Sequence, residues 1–197
     1  MKELLRERGL DGAIVSSPEN FHYVTGFGGH QHTVSRQPGF TLAVMRSDDK
    51  APTHITTMDF EAATFRIKSA GLGFVVDPYD TWVGLKTWPE ISQGAALPDK
   101  ARMESSADKL EQFVKACDLA DKRIGVEMDY LTVPYYNMIR EKFPEARLVD
   151  ISDLFVYARS IKTEEEIKMF RELCRIADHG FTQVSRMAGI GVSEKEM

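Results

Sequence analysis

Short apolar runs alternate with helix-patterned stretches along most of this 197-residue chain, and that alternation limits the fold more than any other feature. DGAIVSS (11–17), GFTLAVMR (39–46), THITTM (53–58), GFVVD (73–77), RIGVEMD (123–129) and ARLVDIS (146–152) read as strands. Between them lie helical patterns at 2–8, 17–26, 59–70, 104–120 and 133–143. Two of these open on a capping residue with proline just inside, Ser17–Pro18 and Thr132 with Pro134. Strands interleaved with helices imply an α/β domain layered on a central sheet. The runs at 39–46 and 53–58 are separated only by SDDKAP, too few residues for a crossover, so that pair is expected to be antiparallel and the sheet mixed. Residues 77–103 carry Trp82, Trp88, Pro89 and Pro98 and follow no period.

The stretch GFGGHQHTVSRQPG (26–39) carries every turn signal and reads as a loop. His30 and His32 could share one side of an extended segment and bind a metal, or be polar residues of an exposed loop. No H-E-x-x-H, phosphate-binding glycine loop or G-x-S-x-G elbow occurs. Cys117 and Cys174 fall in helical patterns among apolar neighbours and read as small buried core residues in a reducing compartment. The net charge of −5 argues mildly against nucleic acid, which rewards clustered Lys and Arg. No apolar run approaches the roughly 20 residues that span a bilayer, and the N-terminus lacks a signal peptide's apolar core. The expectation is a soluble cytoplasmic protein without nucleic-acid or membrane partners.

A second kind of pattern begins near Tyr157. Thr163 and Glu166 form a capping box, and Ile167, Phe170, Cys174, Ala177, Phe181 and Val184 then recur at steps of three and four. This is a long helix with one apolar stripe, expected to pack against something, and it follows an α/β domain that already looks complete. Ser193 and Glu196 repeat the S-x-x-E box in the last residues, GIGVSEKEM. They announce a helix, and 189–197 are expected to be poorly ordered by themselves, because one turn cannot offset helix nucleation.

RIGVEMDYLTVPYY followed by LVDISDLFVYARSIKTEEEIKMFRELCRIAD resembles the domain junction of the creatinase, prolidase and aminopeptidase P family. RERGLDGAIVSSPENFHYVTGF resembles that family's opening strand and S-P-E-N turn. Arg159, Lys162, Thr163, Glu166 and Ile167 carry the most specific element. The resemblance implies a three-layer α/β/α domain of ribonuclease H-like type with a mixed sheet over 1–157. It implies a connector helix over 158–188, and the truncated start of a "pita-bread" catalytic domain over 189–197.

On that resemblance the chain is the non-catalytic N-terminal domain of an Xaa-Pro peptidase, a metal-dependent hydrolase. It would contribute dimerisation and active-site covering and be inactive alone. Two divalent metal ions (manganese, cobalt or zinc) would sit in the C-terminal catalytic domain, the natural partner, and none here. Arg36 would be the substrate contact, an arginine fork for a carboxylate in a neighbouring subunit, with His30 and His32 nearby; otherwise Arg36 is a surface arginine in a loop. Two alternatives stand. The parent could be a creatinase-like hydrolase or lyase acting on a small carboxylated metabolite, or the chain could be a free-standing interaction domain.

Overall fold

The structure, a computed structural model, describes residues 1–81, 87–94 and 104–196. It divides into two compact units, Met1–Phe155 and Val156–Met197.

In the first unit a six-stranded sheet is built from β1 (Gly12–Val15), β2 (Leu42–Arg46), β3 (Thr53–Thr56), β4 (Phe74–Val76), β5 (Arg123–Val126) and β6 (Arg147–Asp150). Its order is β4-β3-β2-β1-β5-β6. β2 pairs antiparallel with both β1 and β3, because only a tight turn joins β2 to β3. The remaining neighbours, β3 with β4, β1 with β5 and β5 with β6, are parallel. The mixed sheet expected from the sequence is therefore present.

Alternation along the strands divides the core in two. Ala13, Val15, Ala43, Met45 and Ile55 face one cluster, completed by Leu5, Phe21, Phe65, Leu154 and Phe155. Those residues come from α1 (Lys2–Glu7), α2 (Pro18–Thr25), α4 (Ala62–Ser69) and α8 (Ser152–Ser160). Ile14, Leu42, Val44, Ile124 and Val126 point the other way. They meet Leu110, Phe113 and Val114 of α6 (Ser106–Ala116) and Ile139 of α7 (Val133–Lys142). Period-two alternation on strands buried from both sides produces these three layers.

Two glycines make the layers close. A Cβ on Gly12 would stand 2.5 Å from the Met45 carbonyl oxygen and 2.7 Å from Leu119. One on Gly125 would stand 2.7 Å from Ile151. At these distances a side chain would push the helix layers off the sheet.

Helix starts follow the sequence signals. Ser17 caps α2 with Pro18 at the first position, and Gly26 closes it at φ 79°. Thr132 caps α7. Ser105 and Asp108 form a reciprocal capping box at α6, which is shorter than the 104–120 pattern because the chain turns at Asp118, φ 52°. The 59–70 pattern splits into a 3-10 turn, Asp59–Glu61, and α4. Of the unreadable 77–103, the described part includes a short helix α5 (Trp88–Ser92) and a bridge from Tyr79 to Met58. Trp82 and Pro98 lie outside the described residues.

The loop expected over 26–39 contains a helix, α3 (His30–Ser35). In the sequence, glycine and proline at its ends look like loop signals throughout, whereas in the fold they only mark where α3 starts and stops.

In the second unit α9 (Glu164–Met187) is capped by the Thr163–Glu166 box. None of its residues is buried. The stripe from Ile167 to Val184 therefore finds no packing partner within this unit. Cys174, expected to be buried, is exposed, while Cys117 is buried. Near the end, the Glu196 carboxylate accepts the Ser193 N–H at 2.8 Å, so half of the second capping box forms. Among the described residues no helix is long and apolar enough to cross a membrane.

Both core clusters are drawn from residues no later than Phe155. A chain ending at residue 161 is expected to unfold in one cooperative urea transition, and residues 156–197 alone to show little helix by circular dichroism. A broad, non-cooperative transition for 1–161 would contradict the assignment of the whole core to the first unit.

Candidate functional site

β1 and β5 run parallel and end side by side, with Ile14 opposite Val126. The residues that follow, Ser16 and Glu127, therefore meet. Glu127 is 1% exposed, yet both of its oxygens are occupied. Oε2 accepts the backbone N–H groups of Ser16, at 2.5 Å, and Ser17, at 2.9 Å. Oε1 accepts the Ser17 hydroxyl and, at 2.7 Å, the Asn20 side-chain amide. Burial pushes the Glu127 pKa up from its ordinary value, and these hydrogen bonds pull against that rise. Three of the four groups can only donate, so they favour the carboxylate over the acid. The arrangement fixes the first turn of α2 against the end of the sheet.

Ser16 also holds the segment that follows α2 at two further points. His32 Nε2 lies 2.8 Å from the Ser16 carbonyl oxygen. A carbonyl only accepts, so Nε2 carries the proton and Nδ1 is the bare nitrogen. Nδ1 is buried and has no partner among the described residues. The Gly39 N–H donates to the Ser16 hydroxyl at 2.7 Å. Gly39 adopts φ 83°, and a Cβ there would stand 2.1 Å from the Tyr135 ring, so only glycine fits.

The rest of the segment is fixed as tightly. Phe27 packs edge-on against Phe65 and Phe74, each at 5.6 Å between ring centres. Lys68 donates to the Gly28 carbonyl at 3.2 Å. The Glu61 carboxylate accepts the Gln31 N–H at 2.9 Å, and Gly29 leaves room for it. Tyr79 donates its hydroxyl to the Phe40 carbonyl at 2.8 Å.

Arg36 sits at the end of α3 in the left-handed conformation, φ 49° and ψ 34°. Its guanidinium forks onto Glu19 in the first turn of α2, with Nη1 to Oε1 at 2.5 Å and Nη2 to Oε2 at 3.1 Å. Both side chains are about half exposed, at 50% and 42%.

The three residues singled out from the sequence thus separate. Arg36 and His30 lie at opposite ends of α3, and His30 is exposed. His32 is 1% exposed, edge-on to Phe21 at 5.1 Å. On a helix, residues two apart diverge by about 200°, so His30 and His32 do not share a side. The idea of a metal held by that pair on an extended segment fails for this reason. Among the described residues no three His, Cys, Asp or Glu side chains are grouped to hold a metal ion.

The supporting residues Glu127, Ser16, Asn20, Glu61 and Glu19 were not picked out from sequence. One sign was available for Glu127. A lone acid ending an apolar strand that is buried on both faces must be compensated.

One prediction concerns this network and one concerns pH. Glu127→Ala is expected to lower stability by roughly 2–4 kcal/mol, since four donors lose their acceptor. Ser16→Ala removes one acceptor and is expected to cost about 1 kcal/mol, both read from urea midpoints.

The second concerns pH. Burial lowers the pKa of His32, and of His54, which packs on Phe113, from the ordinary 6.5. The folded state then binds fewer protons than the unfolded one. The stabilisation is present above about pH 6.5 and is lost as pH falls through the folded values. Stability should drop between pH 7.5 and 5.5, and His32→Gln with His54→Gln should flatten that drop. An unchanged slope in the double variant would contradict it.

Comparison with known proteins identifies the setting of this geometry. Residues 1–161 match the family model described as "Creatinase/Prolidase N-terminal domain". The chain is 28% identical over 195 residues to the "Uncharacterized peptidase YqhT" of Bacillus subtilis (strain 168), a match covering 98% of this chain and 44% of that protein. The chain therefore spans less than half the length of that relative. Among solved structures, an Xaa-Pro dipeptidase from Bacillus anthracis superposes with a TM-score of 0.67 at 21% identity, covering 99% of this chain and 44% of that one. The N-terminal domain of an X-Pro dipeptidase from Streptococcus pyogenes superposes with a TM-score of 0.53 at 17% identity. It covers 81% of this chain and 94% of its own. These two likenesses show the fold.

Proposed function

Because the chain belongs to the Creatinase/Prolidase N-terminal domain family, we propose that it is the N-terminal part of an Xaa-Pro peptidase. The observation that carries this reading is the pairing of two lengths. The family's domain accounts for residues 1–161, and the chain then continues into α9, whose apolar stripe has no partner in its own unit. An exposed stripe of this size favours a covering surface. The proposed cover is the protein's own C-terminal catalytic domain, the region by which the matched peptidases exceed this chain in length. The proposed domain limits are 1–157 for the α/β domain, 158–188 for the connector and 189–197 for the start of the catalytic domain.

The hydrolytic chemistry, and the two divalent ions it uses, belong in this reading to residues beyond those described here. The metal is manganese, cobalt or zinc. The described residues offer no grouped ligands for it, so no step is assigned to this chain through it. The chain's own part is to hold an arginine. Arg36 faces solvent on a segment fixed by Ser16, Glu61 and Tyr79, and is the proposed contact for a substrate carboxylate. His30 is proposed to lie beside the substrate, and His32 to support the segment from within. Dimerisation, which would bring Arg36 to a neighbouring subunit's active site, and a cytoplasmic location complete the proposal.

The test uses the complete protein. With manganese or cobalt it should hydrolyse an Xaa-Pro dipeptide, and residues 1–197 alone should not. Arg36→Ala should weaken the preference for the dipeptide over its C-terminal amide by about tenfold or more, the loss of one charged hydrogen-bonded contact. Hydrolysis by 1–197 alone, or no hydrolysis by the complete protein under any divalent metal, would overturn the reading.

A further inference from the structure

The geometry points to Glu19 as the residue that positions Arg36, an inference resting on the reading that Arg36 contacts a substrate carboxylate. Three observations carry it. First, the Glu19–Arg36 contact uses both carboxylate oxygens and both terminal nitrogens, a fork that fixes the guanidinium plane as well as its location. Second, Glu19 stands in the first turn of α2, between Ser17 and Asn20, and both of those side chains are bound to the buried Glu127. The grip on Arg36 therefore comes from a fixed element. Third, the fork occupies one edge of the guanidinium. The Nε–H on the other edge has no partner among the described residues, and the side chain is half exposed.

An arginine held by its end presents its Nε and adjoining Nη to an incoming carboxylate with little rotamer freedom left to lose. Preorganisation of this kind raises affinity by lowering the ordering cost of binding. Glu19 touches no substrate in this scheme and acts through Arg36. The backbone agrees with the assignment. The left-handed φ of Arg36 turns the chain out of α3, and its N–H still donates to the His32 carbonyl at 3.3 Å. Side chain and backbone are thus both fixed at the one residue of the segment that carries a charge suited to an anion.

Glu19 is itself an anion, and a competing role predicts the opposite sign. If Glu19 merely occupied the fork that substrate needs, removing its charge would tighten substrate binding. If it positions Arg36, removing it loosens binding. The half-exposed setting of the pair keeps the effect small, about two- to fivefold.

The experiment compares Glu19→Gln and Glu19→Asp in the complete protein on an Xaa-Pro dipeptide and its amide. Gln keeps the reach and loses the charge, while Asp keeps the charge and loses the reach. Positioning predicts that both raise KM for the dipeptide two- to fivefold, with kcat and the KM for the amide moving far less. A KM lowered by Glu19→Gln, or unchanged in both variants, overturns the inference. If Arg36→Ala leaves the dipeptide-over-amide preference intact, the reading of Arg36 fails instead.

A second measurement does not depend on activity. Nitrogen-15 relaxation of the Arg36 Nε–H in the 197-residue chain should report an ordered side chain. In Glu19→Gln it should report a mobile one. Equal order in the two would overturn the inference even in a protein without peptidase activity.

Discussion

A buried carboxylate holds the end of this sheet together. Glu127 takes four hydrogen bonds from Ser16, Ser17 and Asn20, and each has a consequence at the next level of structure. The Ser16 and Ser17 amides tie the end of β1 to the end of β5. Ser17 and Asn20 fix the start of α2. With Ser16 fixed, its carbonyl and hydroxyl become the anchor points for His32 and Gly39. A buried acid without such partners would cost several kcal/mol, so the strand ends, the helix start and the 27–40 segment have to be consistent with one another.

This dependence explains how a glycine-rich segment can present a side chain at a defined place. The sequence GFGGHQHTVSRQPG promises freedom, and each of its glycines could supply it. In the fold the freedom is used for close approach. Gly29 admits the Glu61 carboxylate to the start of α3, and Gly39 admits the Tyr135 ring. The segment is held from β1, from the 3-10 turn, from α4 and from Tyr79. The Arg36 it carries is placed by a scaffold rather than by its own turn.

The sequence made the sheet readable because apolar runs on a doubly covered sheet have few other uses. It also located the caps at Ser17, Thr132 and Thr163, since a side chain that caps a helix acts on its own neighbours. It misread 26–39, because turn residues flanking a six-residue helix look the same as turn residues filling a loop. His32 was misjudged for the same reason. Its burial depends on Ser16 and Phe21, which no local pattern connects to it. Cys174 was misjudged by the reverse error: an apolar stripe shows that a face suits covering, but no residue of α9 is buried within its own unit. The pairing of Glu19 with Arg36 spans seventeen positions and two helices, and only the fold brings it about.

Glu127 fixes the 27–40 segment rather than merely adding stability. Amide hydrogen exchange in the wild type and in Glu127→Ala tests it most directly. The Gly39 N–H, bonded to the Ser16 hydroxyl, should be protected in the wild type and exchange at nearly the free rate in the variant. The amides of Ala43 and Ile55 in the sheet should lose only the protection expected from the drop in global stability. Equal loss of protection at Gly39 and at the sheet amides would contradict the claim, as would a Gly39 amide that stays protected without the carboxylate.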